Sequence, residues 1–303
     1  MRKVIVGTRG SKLALTQTKG IVTQLNHHYP DIECDIKIIQ TKGDLFQNTA
    51  LEKIGDKGLF VKEIEEQLLT GEIDLAIHSM KDMPSTSPLG LMFTKAPKRE
   101  DSRDVLVLKG AFKSLADLPI RATIGTGSKR RKFQLLKLRP DLNVVPIRGN
   151  VDTRLAKIES ENLDGIVLAA AGLHRLGYHD KITEYLSTDE VIPAPAQGAL
   201  ALQIRENDTW LADKLQALED QKAQLEIQIE RGFLEGINGT CHEPIGAKAT
   251  IVGEEFTLMG LYGDSVGNLI LDQTSGPIAK GRQLGFELGV KLRKMVQKRS
   301  EER

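Results

Sequence analysis

Over its first 170 residues the chain alternates short runs rich in Val and Ile with longer stretches of helical period, a pattern that few folds accommodate. The opening reads KVIVG (3–7), a helix beginning near Ser11, then CDIKIIQ (34–40), which predicts a β-α-β unit. It continues with a helix near 60–70, LAIH (75–78), LMFTKA (91–96), VLVL (105–108), TIGT (123–126), a helix from Ser128, NVVPIR (143–148), another helix and GIVLAA (165–170). Such alternation predicts mostly parallel sheets with helices on both faces. Within it, IVGTRGSKLALTQ (5–17) and TIGTGSKRRKFQL (123–135) both run strand, Gly-Thr, Gly-Ser-Lys, helix, as two related α/β lobes would.

PKREDSRD (97–104) and IPAPAQG (192–198) are polar or proline-rich and read as connections between the lobes, in the form of paired hinge strands. From residue 219 the texture changes. DQKAQLEIQIERGFLEGI is helical, AKATIVG, FTLMGLYG and NLILDQT read as strands in hairpin succession, and GRQLGFELGVKLRKMVQKR closes the chain as a helix. This predicts a smaller α+β domain with an antiparallel sheet. The expected division is 1–97 with 198–217 for domain 1, 98–197 for domain 2 and 218–303 for domain 3.

Composition narrows the partners. Forty-two Lys and Arg against 41 Asp and Glu give a formal charge of +1, so no global field points to nucleic acid or an acidic membrane, and any anion site must be local. Aromatics make up 4% and do not interleave with the arginines as base-stacking platforms would. The first residues, MRKVIVG, lack the apolar core of a signal peptide, and no window approaches the roughly 18 apolar residues of a membrane helix. Cys34 and Cys241 form neither a disulfide framework nor a zinc spacing, which suits a reducing compartment and predicts a cytoplasmic protein without a metal.

Arginine placement carries the chemistry. Arg9, Arg130, Arg131, Arg148, Arg154 and Arg175 each lie beside or close to a Gly or Ser near an expected strand end or helix start. Ligands of open α/β sheets bind outside the carboxyl ends of the strands, where helix N-termini favour anions. Guanidinium forks match carboxylates, so several together imply a polycarboxylate or polyphosphate ligand. GTGSKRRK is not a Walker loop and the first β-α turn has no GxGxxG, which disfavours ATP and NAD. HSMKDMPS (78–85) puts His78, Lys81 and Asp82 at a strand end. It reads either as a turn with a surface ion pair or as Asp82 facing a cationic intermediate, with His78 as a structural hydrogen-bonding residue. GTCHEPIGA (239–247) sets Cys241 in a Gly- and Pro-bounded loop with polar neighbours, the setting of a functional thiol, whereas Cys34 in a strand belongs to a core. Lys53 and Lys57 sit in a glycine-containing loop that reads as a lid or as ordinary solvated surface.

RGSKLALTQ, KGLFVKE, HSMKDMPS, GTGSKRR, IRGNVDTRL, LAAAGLHRLG, PAPAQGALAL and GTCHEPIGA, in this order from Arg9 to Ala247, resemble the motifs of the hydroxymethylbilane synthase (porphobilinogen deaminase) family. The resemblance implies a cytoplasmic, monomeric transferase of tetrapyrrole, porphyrin and heme biosynthesis. Its fold would be two lobes like type II periplasmic binding proteins, with mixed five-stranded sheets, plus a small α+β C-terminal domain. Four porphobilinogen molecules would be joined head to tail onto a covalent dipyrromethane primer, with loss of ammonia through an azafulvene, and the linear tetrapyrrole released by hydrolysis. Nucleic acid and membrane have no part in this chemistry.

Motif by motif, the resemblance implies Asp82 as the catalytic carboxylate and Cys241 as the thioether attachment point. Ser79, Lys81, Asp82, Thr126, Ser128, Arg130 and Arg131 would bind the cofactor, Arg9, Ser11, Arg148, Arg154 and Arg175 the substrate and growing chain, and Lys53, Lys57 and Phe60 would form a lid. The chain departs from the family pattern at Ala196, where Gly is common, at Gln203, where Glu is common, at Lys129, where Leu is usual, and at Glu243 in the cysteine loop. A binding protein with two hinged lobes and no chemistry, and an RNA-binding protein, are the competing readings. Only the enzyme requires Asp82 and a modified Cys241.

Overall fold

A computed structural model describes residues 2–41, 61–239 and 243–301. The chain divides into two compact units, Met1–Glu100 with Ala199–Gln224, and Asp101–Gly198 with Leu225–Arg303.

In the first unit, β1 (Lys3–Thr8), β2 (Glu33–Ile38), β3 (Leu75–Ser79), β4 (Leu91–Phe93) and β10 (Leu200–Arg205) form one sheet in the order β2-β1-β3-β10-β4. β1 runs parallel to β2 and β3, while β10 is antiparallel to both its neighbours. Val4, Val6, Leu75, Ile77, Leu202 and Ile204 pack one face against Ile21 and Leu25 of α1 (Lys12–His28) and Leu211 and Leu215 of α6 (Thr209–Leu215). Ile5 and Ala76 turn the other way, towards Ile64 and Leu68 of α2 (Lys62–Leu69). Period-two alternation along each strand therefore serves two apolar faces.

The second unit repeats this plan. β5 (Asp104–Leu108), β6 (Thr123–Gly125), β7 (Asn143–Val145), β8 (Gly165–Ala169) and β9 (Glu184–Tyr185) are ordered β7-β6-β8-β5-β9, with β5 antiparallel to β8 and β9. Leu135 of α3 (Lys129–Leu138) covers one face, and Ile158 of α4 (Val151–Ser160) with Leu173 of α5 (Ala170–Arg175) the other. The sequence echo is thus a topological one, β1 matching β6 and β10 matching β5.

Two expectations are corrected. Each of these two sheets is mixed, as the family resemblance implies, rather than mostly parallel as the local alternation predicts, because an antiparallel strand is inserted inside it; Leu200–Arg205 and Glu184–Tyr185 are strands that the local pattern does not predict. LALQIR has a single β-branched residue and follows a turn-rich motif, so its local signal is weak. Residues 97–103 and 192–198 contain no strand, and Pro97, Pro193 and Pro195 supply no N–H to a ladder.

The rest of the second unit is the antiparallel sheet β11 (Gly246–Val252), β12 (Glu255–Gly263), β13 (Leu269–Pro277), packed on α7 (Gln221–Ile237) and α8 (Gly281–Glu301). Phe233, Phe256, Leu258 and Leu292 centre its core. The two helices touch backbone to backbone: a Cβ on Gly236 would lie 2.1 Å from the Phe286 carbonyl oxygen, and one on Gly289 2.3 Å from that of Phe233. Only glycine permits this approach.

Candidate active site

The first unit presents the ends of β1 and β3. Ser11 caps α1, its Oγ accepting from the Ala14 N–H at 3.2 Å, which sets Arg9 in the turn before a helix N-terminus. Ser79 ends β3, and its Oγ accepts from Gln17 Nε2 at 3.3 Å. One 3-10 turn, Met80–Asp82, follows; the Met80 N–H donates to the Ala199 carbonyl at 3.0 Å and the Met83 N–H to the Met80 carbonyl at 3.1 Å. Met80 and Met83 are buried, whereas Asp82 between them is exposed. Two apolar anchors thus hold out one carboxylate, with Lys81 half-buried beside it.

His78, just before this turn, is 7% exposed, and its Nε2 has no hydrogen-bond partner among the described residues. Burial lowers its pKa to about 4; the facing Gln203 side chain opposes the shift and Arg9 adds to it. The imidazole is therefore neutral at physiological pH, and the hydrogen-bonding role expected of it finds no partner at Nε2 among the described residues.

The second unit presents the ends of β6 and β7. Thr126 Oγ1 accepts from the Ser128 N–H at 3.2 Å, and Ser128 caps α3 by accepting from the Arg131 N–H at 3.4 Å. Gly127 runs against the backbone of Ile147, where a Cβ would stand 2.8 Å from its carbonyl oxygen. Arg148 and Arg154 lie at the neighbouring turn, Arg154 Nε donating to the Gly149 carbonyl at 2.8 Å.

Arg130 and Arg131 have a partner that the sequence reading did not assign. Both point inward, 3% and 6% exposed, onto the wholly buried carboxylate of Asp104. Arg130 Nη1 donates to Asp104 Oδ2 at 2.6 Å and to the Ile192 carbonyl at 2.7 Å. Arg131 donates to Asp104 Oδ1 through Nε at 3.0 Å and Nη2 at 2.7 Å, and to the Val167 carbonyl through Nη1 at 3.1 Å. Gln197 Nε2 adds a donor to the same oxygen at 2.9 Å. Burial pushes the Asp104 carboxyl up, but the two guanidinium groups overcome it and hold the carboxyl well below the usual range. Two cations on one anion leave a net positive charge beneath the N-terminus of α3.

Arg175 also differs from expectation. It ends α5 rather than starting a helix or closing a strand, because α5 begins directly at Ala170, and its Nη2 donates to the Gly198 carbonyl at 2.7 Å. Cys34 packs half-buried against the first core, as expected. Cys241, Lys53, Lys57 and Phe60 lie outside the described residues.

Comparison with known proteins decides the family. A family model described as "Porphobilinogen deaminase, dipyromethane cofactor binding domain" matches residues 4–213, and one for the porphobilinogen deaminase C-terminal domain matches 224–295. The chain belongs to the porphobilinogen deaminase family. It is 56% identical to the porphobilinogen deaminase of Clostridioides difficile over 299 residues, covering 98% of both chains. It is 52% identical to that of Clostridium novyi over 290 residues, covering 94% of this chain and 97% of that one. A solved structure of the probable amino-acid ABC transporter extracellular-binding protein of Bacillus subtilis is similar at 12% identity and a TM-score of 0.43, over 72% of this chain and 90% of that one. The family assignment does not rest on that distant likeness.

Two further buried polar residues brace the backbone of the second unit in this porphobilinogen deaminase family member. Glu230 on α7 is wholly buried; it accepts from the Ala196 N–H at 2.7 Å and from the Ala249 N–H at 3.0 Å. Gln134 exchanges hydrogen bonds with the backbone of Ile192 at 2.8 and 3.1 Å. Asp104 does carry a signal, an acid opening the apolar run DVLVL, and Arg130 and Arg131 were the cations to match it.

Proposed function

We propose that the chain is a hydroxymethylbilane synthase, joining four porphobilinogen molecules head to tail onto a dipyrromethane primer and releasing the linear tetrapyrrole by hydrolysis. Given the family, the observation that carries the mechanism is the presentation of Asp82 as an exposed carboxylate between two buried methionines.

Each addition breaks the substrate's C–N bond and releases ammonia; a new C–C bond forms and the attacked pyrrole carbon loses its proton. Positive charge develops on pyrrole nitrogens during these steps. A fixed carboxylate at Asp82, accepting pyrrole N–H bonds, stabilises that charge, an effect of roughly 3 to 4 kcal/mol in comparable sites. Dipyrromethane, when bound, supplies the free α-carbon of its terminal pyrrole as nucleophile.

The donor set suits a ligand rich in carboxylates. Ser128 and Thr126 at a capped helix N-terminus, above the net positive charge of Arg130 and Arg131 on Asp104, favour an anionic group. We assign these four to the cofactor, together with Ser79, Lys81 and Asp82, and Cys241 as the covalent attachment. Arg9, Ser11, Arg148, Arg154 and Arg175 hold the acetate and propionate groups of substrate and growing chain, and Lys53, Lys57 and Phe60 form a lid. The three-domain division at 97, 198 and 218, a cytoplasmic location, a monomeric state and independence from nucleic acid and membrane belong to the same reading; the formal charge of +1 is in keeping with it.

Asp82→Ala tests the mechanism. The variant is expected to fold and melt as the wild type does, and to consume no porphobilinogen; retained turnover would contradict the role of Asp82.

A further inference from the structure

On the face of the first sheet that α2 covers, two adjacent strands carry polar side chains among apolar ones. Gln203 on β10 is wholly buried, and His78 on β3 nearly so. The register, Ala201 opposite His78 and Gln203 opposite Ala76, sets the two on the same face, diagonally adjacent.

The Gln203 amide faces three elements. Its Nε2 donates to Glu65 Oε1 on α2 at 2.9 Å and to Ser87 Oγ at 3.2 Å. Its Oε1, like His78 Nε2, is buried without a hydrogen-bond partner among the described residues. Both donor hydrogens are therefore engaged by the helix and by the segment that leaves Asp82, which fixes how the amide can turn.

Ser87 lies five residues beyond Asp82, in a stretch (83–90) with neither helix nor strand. Before Asp82 the chain is fixed by the β3–β10 ladder and the Met80 N–H to Ala199 bond. Beyond it, the bond from Gln203 ties the chain to the same strand, β10, and through Glu65 to α2. The Asp82 carboxylate is thus carried on a span whose two sides are both fastened to β10. Partial burial of Glu65, which pushes its carboxyl up while Gln203 pulls it down, fits an amide built into a junction partly withdrawn from solvent.

We propose that Gln203 is a positioning residue for Asp82, acting through its hydrogen bond to Ser87. This role rests on the catalytic role of Asp82 proposed above. Small displacements of a reacting group can cost large factors in rate, on the order of a hundredfold for about 1 Å. Loss of one tether should therefore lower turnover while leaving substrate binding in place.

The test compares Ser87→Ala, Gln203→Met and the double variant in the full chain, each with its primer content checked by intact mass. Ser87→Ala is expected to keep its primer, its KM and its melting temperature while kcat falls about tenfold. Gln203→Met should fall at least as far, since it also loses the bond to Glu65, and the double variant no further than Gln203→Met, because the Gln203–Ser87 bond that Ser87→Ala removes is already gone. Unchanged kcat in Ser87→Ala, or losses that multiply in the double variant, would overturn the role. If Gln203→Met does not fold, Ser87→Ala alone decides. A wild type that consumes no porphobilinogen would overturn the activity and this role with it, whereas an active wild type matched by Ser87→Ala overturns the role alone.

Discussion

Arg130 Nη1 meets Asp104 Oδ2 at 2.6 Å with both side chains withdrawn from solvent, and Arg131 closes on the other oxygen of the same carboxylate at 2.7 Å. A buried ion pair stabilises only when desolvation is offset by well-made bonds. Here one carboxylate receives four N–H groups, from two arginines and Gln197.

Removing the anion should therefore be severe. Asp104→Asn leaves two buried guanidinium groups without a counter-charge, and a loss of about 3 to 5 kcal/mol is expected in urea unfolding. In the wild type the carboxyl titrates below its unfolded value of about 3.9. Its contribution is thus fully present above about pH 4 and lost only as the pH falls further. Unfolding midpoints followed from pH 7 to 3 should show the Asp104→Asn deficit shrinking only at the acid end.

His78 predicts a separate acid effect at higher pH. Its folded value of about 4 lies below the ordinary 6.5, so the unfolded chain binds the proton more readily in between. Stability should fall as the pH drops from about 6.5 to about 4, by roughly 3 kcal/mol at most for this group. His78→Gln should flatten that slope, and NMR should place the imidazole titration near 4. A titration near 6.5 would contradict the buried, neutral assignment.

Ala196 holds a left-handed backbone, φ 59°, in the turn before β10. For a residue with a Cβ this conformation costs about 1 to 2 kcal/mol, whereas glycine adopts it freely. The Glu230 carboxylate accepting the Ala196 N–H at 2.7 Å helps to hold it there. Ala196→Gly is expected to raise unfolding stability by up to about 1 kcal/mol, the relief of strain being partly offset by a more flexible unfolded chain. A loss of more than about 1 kcal/mol in thermal unfolding would mean that the methyl group matters to packing more than the strain costs.

Much of this was legible in the sequence. The repeated strand, Gly-Thr, Gly-Ser-Lys and helix pattern marked Ser11 and Ser128 as helix starts, and both are N-caps, because a hydroxyl before an amphipathic helix serves an unpaired N–H. The hairpin strands from Gly246 to Pro277 stood out through turn residues at regular spacing. What stayed hidden depends on long-range pairing. β10 inserts next to β3 from more than 100 positions away, and no local pattern reports that. Gln197 and Glu230 look like ordinary polar residues until folding buries them, and although Asp104 opens an apolar run, nothing local pairs it with Arg130 and Arg131, whose inward turn follows from it. Arg175, expected near a strand end or a helix start, closes α5 instead, because β8 passes directly into α5 at Ala170 and leaves no turn signal.

The intact mass of the purified full chain, measured beside Cys241→Ser, tests the central claim most directly. A mass excess equal to one dipyrromethane unit is expected, mapped to Cys241 after digestion and absent from the serine variant. A chain that carries no such excess, and gains none on incubation with porphobilinogen, would contradict it.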